Sequence, residues 1–421
     1  MKYFKELTRE LKISDAPESD EMIFPVSQHL GNPAKTLVKA GDKVKVGDVL
    51  CEPDGYISSY IHSSVSGKVV KISDFFHPTG DITESIFIEN DHLYEVNDKV
   101  VSRKDVNIGH ISHEEAIEMI KSAGIVGLGG AVFPTHVKLS PPKGKKIDTI
   151  ILNAAECEQY LTCDERILRE EIKDVLLGFK LAAKACNAQN IIIVIEDNKA
   201  KSIEALNEGL KKYFPTVKVA VVKTEYPMGA EKILIKKVLG RKVPLLGIPI
   251  DVGVVVINVG TAAQIYKTFV TGMPLISRIV TISGQGIKNK GNYRARIGTP
   301  IKVFFSDDQY INSENLKVIM GGPMMGLSQC TLDVPVIKCT SGVLVIESKL
   351  IEEKNCIRCA TCVDKCPYDL LPLVISENAV EKATECMECG KCSYFCPSNI
   401  PLVQKIKINK RKYLETKKEA K

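Results

Sequence analysis

No stretch of this 421-residue chain is apolar for long enough to cross a bilayer. The strongest candidates, "NIIIVIED" and "VGVVVINVG", have the length of single strands. The N-terminus "MKYFKELTRELK" lacks the apolar core of a secretory leader, so the expected compartment is the cytoplasm. A strong charge of either sign is also missing. The net charge of +6 demands no nucleic acid and suits a protein that meets acidic carriers or a membrane surface. The seven histidines are scattered and no Ser/His/Asp set is recognisable, so nothing points to nucleophilic hydrolysis. His136 is read as a packing or surface residue.

Cysteine is what the chain has in plenty. Of 14 cysteines, eight lie in two copies of one pattern, "CIRCATCVDKCP" from Cys356 and "CMECGKCSYFCP" from Cys386. Structural zinc sites pair CxxC units across longer loops and rarely place three cysteines in a row at this spacing. C-x2-C-x2-C-x3-C-P instead wraps a [4Fe–4S] cube, and in two-cluster ferredoxins the fourth cysteine ligates the other cube. By that rule Cys356, Cys359, Cys362 and Cys396 hold one cube, and Cys386, Cys389, Cys392 and Cys366 hold the second. A reducing compartment follows. Cys51, Cys157, Cys163, Cys186, Cys330 and Cys339 are scattered, and most are expected to fill the core.

The length suggests roughly two to four domains. Residues 1–22 form a polar arm. From 23 to 100 the texture is β-rich, with turns at Gly41-Asp42 and Gly47-Asp48. "VKAGDKVKVGDVL" and "IHSSVSGKVVKI" resemble the barrel-sandwich hybrid of lipoyl and biotinyl carriers. The tip "EPDGYISSYIHSS" has no lysine, which excludes a swinging arm. Over 110–273 helical patterns alternate with the strands "IDTIILNA", "NIIIVIED", "VKVAVVK" and "VGVVVINV", the signature of a parallel sheet covered by helices. Helices are expected near 164–186, 198–213, 229–239 and 261–271, and Ser112 with Glu115 forms a capping box for an earlier one. Residues 275–350 are β-rich, 351–404 carry the cysteines, and 405–421 form a basic tail. Lys405, Lys407, Lys410, Arg411 and Lys412 there either dock an acidic ferredoxin or anionic lipid or form a solvated helix face.

In "SAGIVGLGGAVFPTHVKL", Gly127, Gly129 and Gly130 remove side chains where backbone must approach a flat ring or a phosphate, and Lys138 is a nearby cation. "LNAAECE" ends a buried strand, where parallel sheets bind ligands. Glu156 and Glu158 can accept hydrogen bonds there, although isolated glutamates at such a place belong more often to a solvated loop.

"GLGGAVFPTHVKL", "NAAECEQYLTCDER", "YPMGAEKILI", "VGVVVINVGTA", "GNYRARIGTP" and "MGGPMMG" resemble the RnfC family, from about Phe24 to Gln404. RnfC is the NADH-facing peripheral subunit of the Rnf complex, which exchanges electrons between NAD and ferredoxin while moving ions. The resemblance implies a multidomain α/β + β architecture: a barrel-sandwich hybrid, a Rossmann-like parallel α/β flavin domain, an SLBB β-grasp unit and a bacterial-type 2×[4Fe–4S] ferredoxin domain. The middle domain is similar to the flavin subunit of respiratory complex I. Carried over, the FMN and NADH contacts fall on Gly127, Gly129, Gly130, Ala131, Phe133, Lys138, Asn153, Glu156, Glu158, Glu231, Asn258 and Thr261. Leu128 stands in place of that family's arginine, Val132 in place of a glycine and Ala155 in place of an aspartate. No catalytic acid, base or nucleophile is implied.

NADH delivers two electrons as a hydride and a cube accepts one, so a flavin between them completes the chemistry. The implied partners are NADH, the membrane-embedded and ferredoxin-like Rnf subunits, and ferredoxin through the complex. The implied place is the cytoplasmic side of the membrane, held through partners. Two other readings stay open: a soluble RnfC-like reductase serving another enzyme, and a non-enzymatic iron–sulfur wire.

Overall fold

The computed structural model describes residues 3–244, 247–305, 315–348 and 352–419. Part of the unit expected over 275–350 (306–314, 349 and 350) and residue 351 of the cysteine module lie outside the described residues.

Alternating apolar residues and glycine turns build the first unit. Strands Glu21–Pro25, Ile82–Asn90, Gly67–Phe76 and Lys43–Val44 form an antiparallel sheet. It shares a core with the short strands Lys35–Thr36, Val49–Glu52 and Ile61–His62. Phe24, Leu50, Ile61, Val69 and Ile86 are fully buried between them.

The four apolar runs of the middle region form one parallel sheet, ordered Lys218–Val222, Asn190–Glu196, Thr149–Ala154, Val254–Asn258. Such strands are buried on both faces, which explains their near-continuous apolar sequence. Their chain order reverses between Thr149–Ala154 and Val254–Asn258, and ligands of open α/β sheets lie beyond the strand ends at such a reversal. Helix His113–Ser122 starts in the expected capping box, with Ser112 Oγ accepting from the Glu115 amide. The helix expected over 164–186 is two helices, Cys163–Glu170 and Ile172–Ala185. They break at Glu171, whose φ of −123° and ψ of 31° are not helical and whose carboxylate is held by Lys267 at 2.6 Å and Arg294 at 2.5 Å.

A six-stranded mixed sheet follows, with Ser277–Ser283 between Gly291–Arg296 and Gly342–Glu347. Its edge strand corrects the expected polar arm. Ile13–Asp15 pairs in parallel with Gly291–Arg296, and the Lys5 ammonium is buried and donates to the carbonyls of Glu156 at 2.6 Å and Leu161 at 2.5 Å. Lys338 ties three units together: it is buried and donates to Tyr60 O at 2.6 Å and Gly124 O at 2.8 Å.

The cysteine module repeats its backbone. Arg358, Ala360 and Asp369 have positive φ, as do Glu388, Gly390 and Asn399 at the corresponding places of the second copy. Helix Leu402–Glu419 crosses the boundary expected at 405, because Leu402, Val403 and Ile406 pack into the module's core. Much of its basic face is occupied internally: Lys405 pairs with Glu353, and Lys407 and Lys410 pair with Glu388. Among the described residues no helix is long and apolar enough to cross a membrane.

Candidate functional site

Gly127, Gly129, Gly130, Ala131, Phe133, Lys138, Asn153, Glu156, Glu158, Glu231, Asn258 and Thr261 all line one cavity of about 580 Å³ at the strand-order reversal. Every unit walls it. Pro78 and Thr79 come from the first, Met320, Gly322, Met325 and Leu327 from the third, and Met387 from the cysteine module. A larger groove of about 980 Å³ runs between the first unit and helix His113–Ser122, away from the glycine loop and the cysteines.

Several of these residues hold the loops that form the walls. Thr261 Oγ1 accepts from the Leu128 amide at 2.8 Å and so fastens the glycine loop. Asn258 caps helix Val259–Thr271 through its Oδ1 and donates Nδ2 to Asp164 Oδ2 at 2.7 Å. Asn153 donates to Gly229 O at 2.8 Å, closing the strand end onto the Tyr226–Ala230 loop. Lys138 and Glu231 form an ion pair of 2.5 Å at the cavity wall. Gly130 has φ +114° and open space where a Cβ would point, so it presents bare backbone.

The two glutamates are not in a solvated loop. Glu156 is buried, and its carboxylate accepts from the Asp164 amide at 2.9 Å and faces the ammoniums of Lys5 at 3.7 Å and Lys199 at 3.5 Å. Burial pushes its carboxyl up, but Lys5, Lys199 and the amide outweigh it and hold it below the usual range. Glu158 accepts from the amides of Met324 at 2.7 Å and Met325 at 3.3 Å, and burial pushes it up. A Cβ on Gly322 would lie 1.9 Å from Glu158 Cγ. Gly322→Ala should therefore displace this carboxylate and cost about 1–3 kcal/mol in urea unfolding. An unchanged midpoint and an unchanged flavin content would show that the contact is slack.

Residues outside the expected set also border the cavity, among them Cys157, Cys163, Asp164, Tyr226, Cys339 and Met387. Cys163, Asp164 and Tyr226 were signalled only by membership of motifs such as "TCDER" and "YPMG", and Cys339 by no motif; contact across separate units leaves no local pattern.

Cys366, Cys386, Cys389 and Cys392 line a second small cavity, so the fourth cysteine of the first motif joins the first three of the second. The Cys362 thiol is pushed up by burial and, to a smaller extent, by Cys396, against backbone hydrogen bonds that lower it. The amides of Arg358 and Glu388 donate to the sulfurs of Cys356 at 3.4 Å and Cys386 at 3.3 Å. Thiolates in fours with N–H···S bonds are the donor set of iron–sulfur cubes. Met387 lines both the large cavity and this cysteine cavity, and Tyr226 Oη donates to Cys389 O at 2.7 Å. The large cavity has the volume of a cofactor site. Thr135 Oγ1 on its wall is buried and has no hydrogen-bond partner among the described residues, a donor suited to an incoming polar group.

Residues 1–93 match an RnfC barrel sandwich hybrid domain, 120–267 a Nuo51 FMN-binding domain and 348–413 a 4Fe-4S dicluster domain. The chain is 42% identical over 378 residues to a subunit of the Na(+)-translocating ferredoxin:NAD(+) oxidoreductase complex of Acetobacterium woodii, covering 89% of this chain and 85% of that one. It is 43% identical over 377 residues to a subunit of the proton-translocating ferredoxin:NAD(+) oxidoreductase complex of Clostridium ljungdahlii, covering 88% and 81%. A chain of the NAD+-reducing [NiFe]-hydrogenase in the H2-reduced state is similar in fold, with a TM-score of 0.52, 17% identity and coverage of 73% of this chain and 62% of that one. The cofactors are thus FMN and two [4Fe–4S] clusters.

Proposed function

This chain belongs to the RnfC family, and from that premise we propose that it is the NADH-facing electron-transfer subunit of an ion-translocating ferredoxin:NAD+ oxidoreductase. The observation that carries the proposal is Met387, which borders both the FMN-sized cavity and the pocket ringed by Cys366, Cys386, Cys389 and Cys392. A single side chain between two cofactor sites suits electron hopping. The strand order supports a Rossmann-like flavin domain, and we assign the six-stranded unit to the SLBB β-grasp type.

FMN, when bound, couples the two-electron chemistry of NADH to the one-electron chemistry of the cubes. The protein's part is placement and exclusion of water. Gly130 lets the ring or phosphate approach the backbone, and Thr261 and Asn258 keep the glycine loop closed against the sheet. Thr135 Oγ1 and Lys138 are polar groups of the cavity wall that suit the phosphate. Glu158, with its carboxyl raised, offers a hydrogen bond to the nicotinamide or ribose. Cys366, Cys386, Cys389 and Cys392 hold the inner cube. Cys356, Cys359, Cys362 and Cys396 hold the outer one, and the exposure of Cys356 and Cys359 suits docking of the next carrier. The membrane subunits of the complex are the partners, and the chain sits on the cytoplasmic face through them.

The test is anaerobic isolation followed by flavin, iron and sulfide analysis and titration with NADH. A bound flavin that NADH bleaches, with about eight irons per chain, supports the reading. Zinc without acid-labile sulfide, or no flavin, refutes it. Co-purification with integral-membrane subunits separates the Rnf assignment from a free reductase.

A further inference from the structure

Oxidation of NADH releases two electrons and one proton: NADH → NAD+ + H+ + 2e−. If the electrons leave singly through the two iron–sulfur clusters, as in the reading above on which this inference rests, the proton needs its own way out. The clusters carry electrons only, so the proton leaves either by the mouth that admits NADH or by a group on the cavity wall.

A second, smaller cavity of about 30 Å³ lies behind the glycine loop. That is room enough for water. Among the described residues only Leu128 and Asp164 border both cavities, and Asp164 is the one that can hold a proton. Gln264, Glu171, Lys267 and Arg294 also line the small cavity. The last two side chains are 30% and 36% exposed, so this end reaches solvent.

We propose that Asp164 and the cavity behind it form the route by which the proton of NADH leaves the cofactor site. Asp164 takes the proton from the large cavity, passes it to water in the small one, and is left ionised for the next turnover. The electrons go to the clusters, so the step balances. Asp164 is well placed for this. Asn258 Nδ2 fixes one carboxylate oxygen at 2.7 Å. One side-chain oxygen or sulfur from each of Glu156, Cys163 and Asp164 lies within 4.8 Å of the others. Burial and the Glu156 charge push the Asp164 carboxyl up to about 7, against the hydrogen bond from Asn258 and the positive charges of Arg278 and Lys199. A group that titrates near neutrality both accepts and releases protons readily.

Asp164 must be ionised to accept a proton, so proton release should quicken as pH rises through about 7. The experiment uses the full chain loaded with FMN and both clusters, mixed with NADH and a one-electron acceptor, with a pH-indicator dye reading proton release by stopped flow. Asp164→Asn keeps an oxygen for Asn258 but holds no exchangeable acid. It should slow release by about tenfold or more and abolish the rise through neutrality, and Asp164→Glu should restore both. Gln264→Leu takes a polar side chain from the wall of the small cavity and leaves the lining of the cofactor cavity intact. It should slow release while leaving the midpoint of the pH profile in place.

Wild-type release in Asp164→Asn, with the rise through neutrality intact, overturns the proposal. So does wild-type release in Gln264→Leu, which also decides the matter if Asp164→Asn fails to fold. A wild-type chain whose flavin NADH never bleaches would instead refute the functional reading.

Discussion

Replacing Cys366 with serine is expected to leave a yellow protein that NADH still bleaches but that passes almost no electrons onward. The reason is the crossing of ligands. Cys366 belongs to the first motif by sequence, yet it lines the pocket of Cys386, Cys389 and Cys392. That pocket adjoins the large cavity through Met387 and Tyr226, so the cube lost is the inner one. Iron should fall from about eight atoms per chain to about four. The outer cube should remain reducible by a small chemical reductant and stay oxidised when NADH is added. Cys396→Ser makes the opposite exchange: it removes the outer cube and leaves the inner one reducible by NADH. Both variants lose the same amount of iron, so composition alone does not distinguish them. The electron paramagnetic resonance of the NADH-reduced proteins does. If each motif held its own cube, Cys366→Ser would spare the inner cube, and its NADH-reduced signal would persist.

The cysteine spacing made this module legible, because a cube constrains its ligands locally and the rule for the fourth cysteine is general. The parallel sheet was legible for a similar reason: strands buried on both faces are written as apolar runs. The cavity was legible through its glycine loop and strand end, and the structure brings every residue expected there to one place. One departure in that loop becomes physical in the structure. Val132 has φ +42°, a conformation disfavoured for a β-branched residue, which accounts for the glycine of the complex I loop at that position. What could not be read was anything set by contact between distant segments. Asp164 was not singled out by the sequence. The N-terminal residues looked like an arm because polar composition does not reveal that a single lysine is aimed into the core. The glutamates looked solvated because the ammoniums that face Glu156 and the amides that bind Glu158 lie outside the motif. Lys5 is 151 residues from Glu156 in sequence, and Lys199 follows the next strand of the sheet, Asn190–Glu196.

Lys5→Ala should be the most destabilising single change outside the cofactor ligands. Lys5 is 2% exposed, so its bonds to the carbonyls of Glu156 and Leu161 have no water to replace them. Its loss also leaves Glu156 facing Lys199 alone, beside the buried carboxyls of Glu165 and Glu196. Breaking a buried charge pair from one side costs about 3–5 kcal/mol. Urea unfolding should show it as a large fall in midpoint with little change in slope. The pH dependence supplies a second, independent reading. Glu156 is held below its ordinary value of 4.5, so its contribution to stability is present above that pH and lost as pH falls through the lower folded value. Without Lys5 the depression shrinks and acid unfolding should begin at a higher pH. Because Glu156 follows the strand that floors the cavity, flavin content should fall in parallel. A Lys5→Ala protein within about 1 kcal/mol of wild type, with the same acid transition, would show that the N-terminal segment rests on the α/β domain without bearing on its stability.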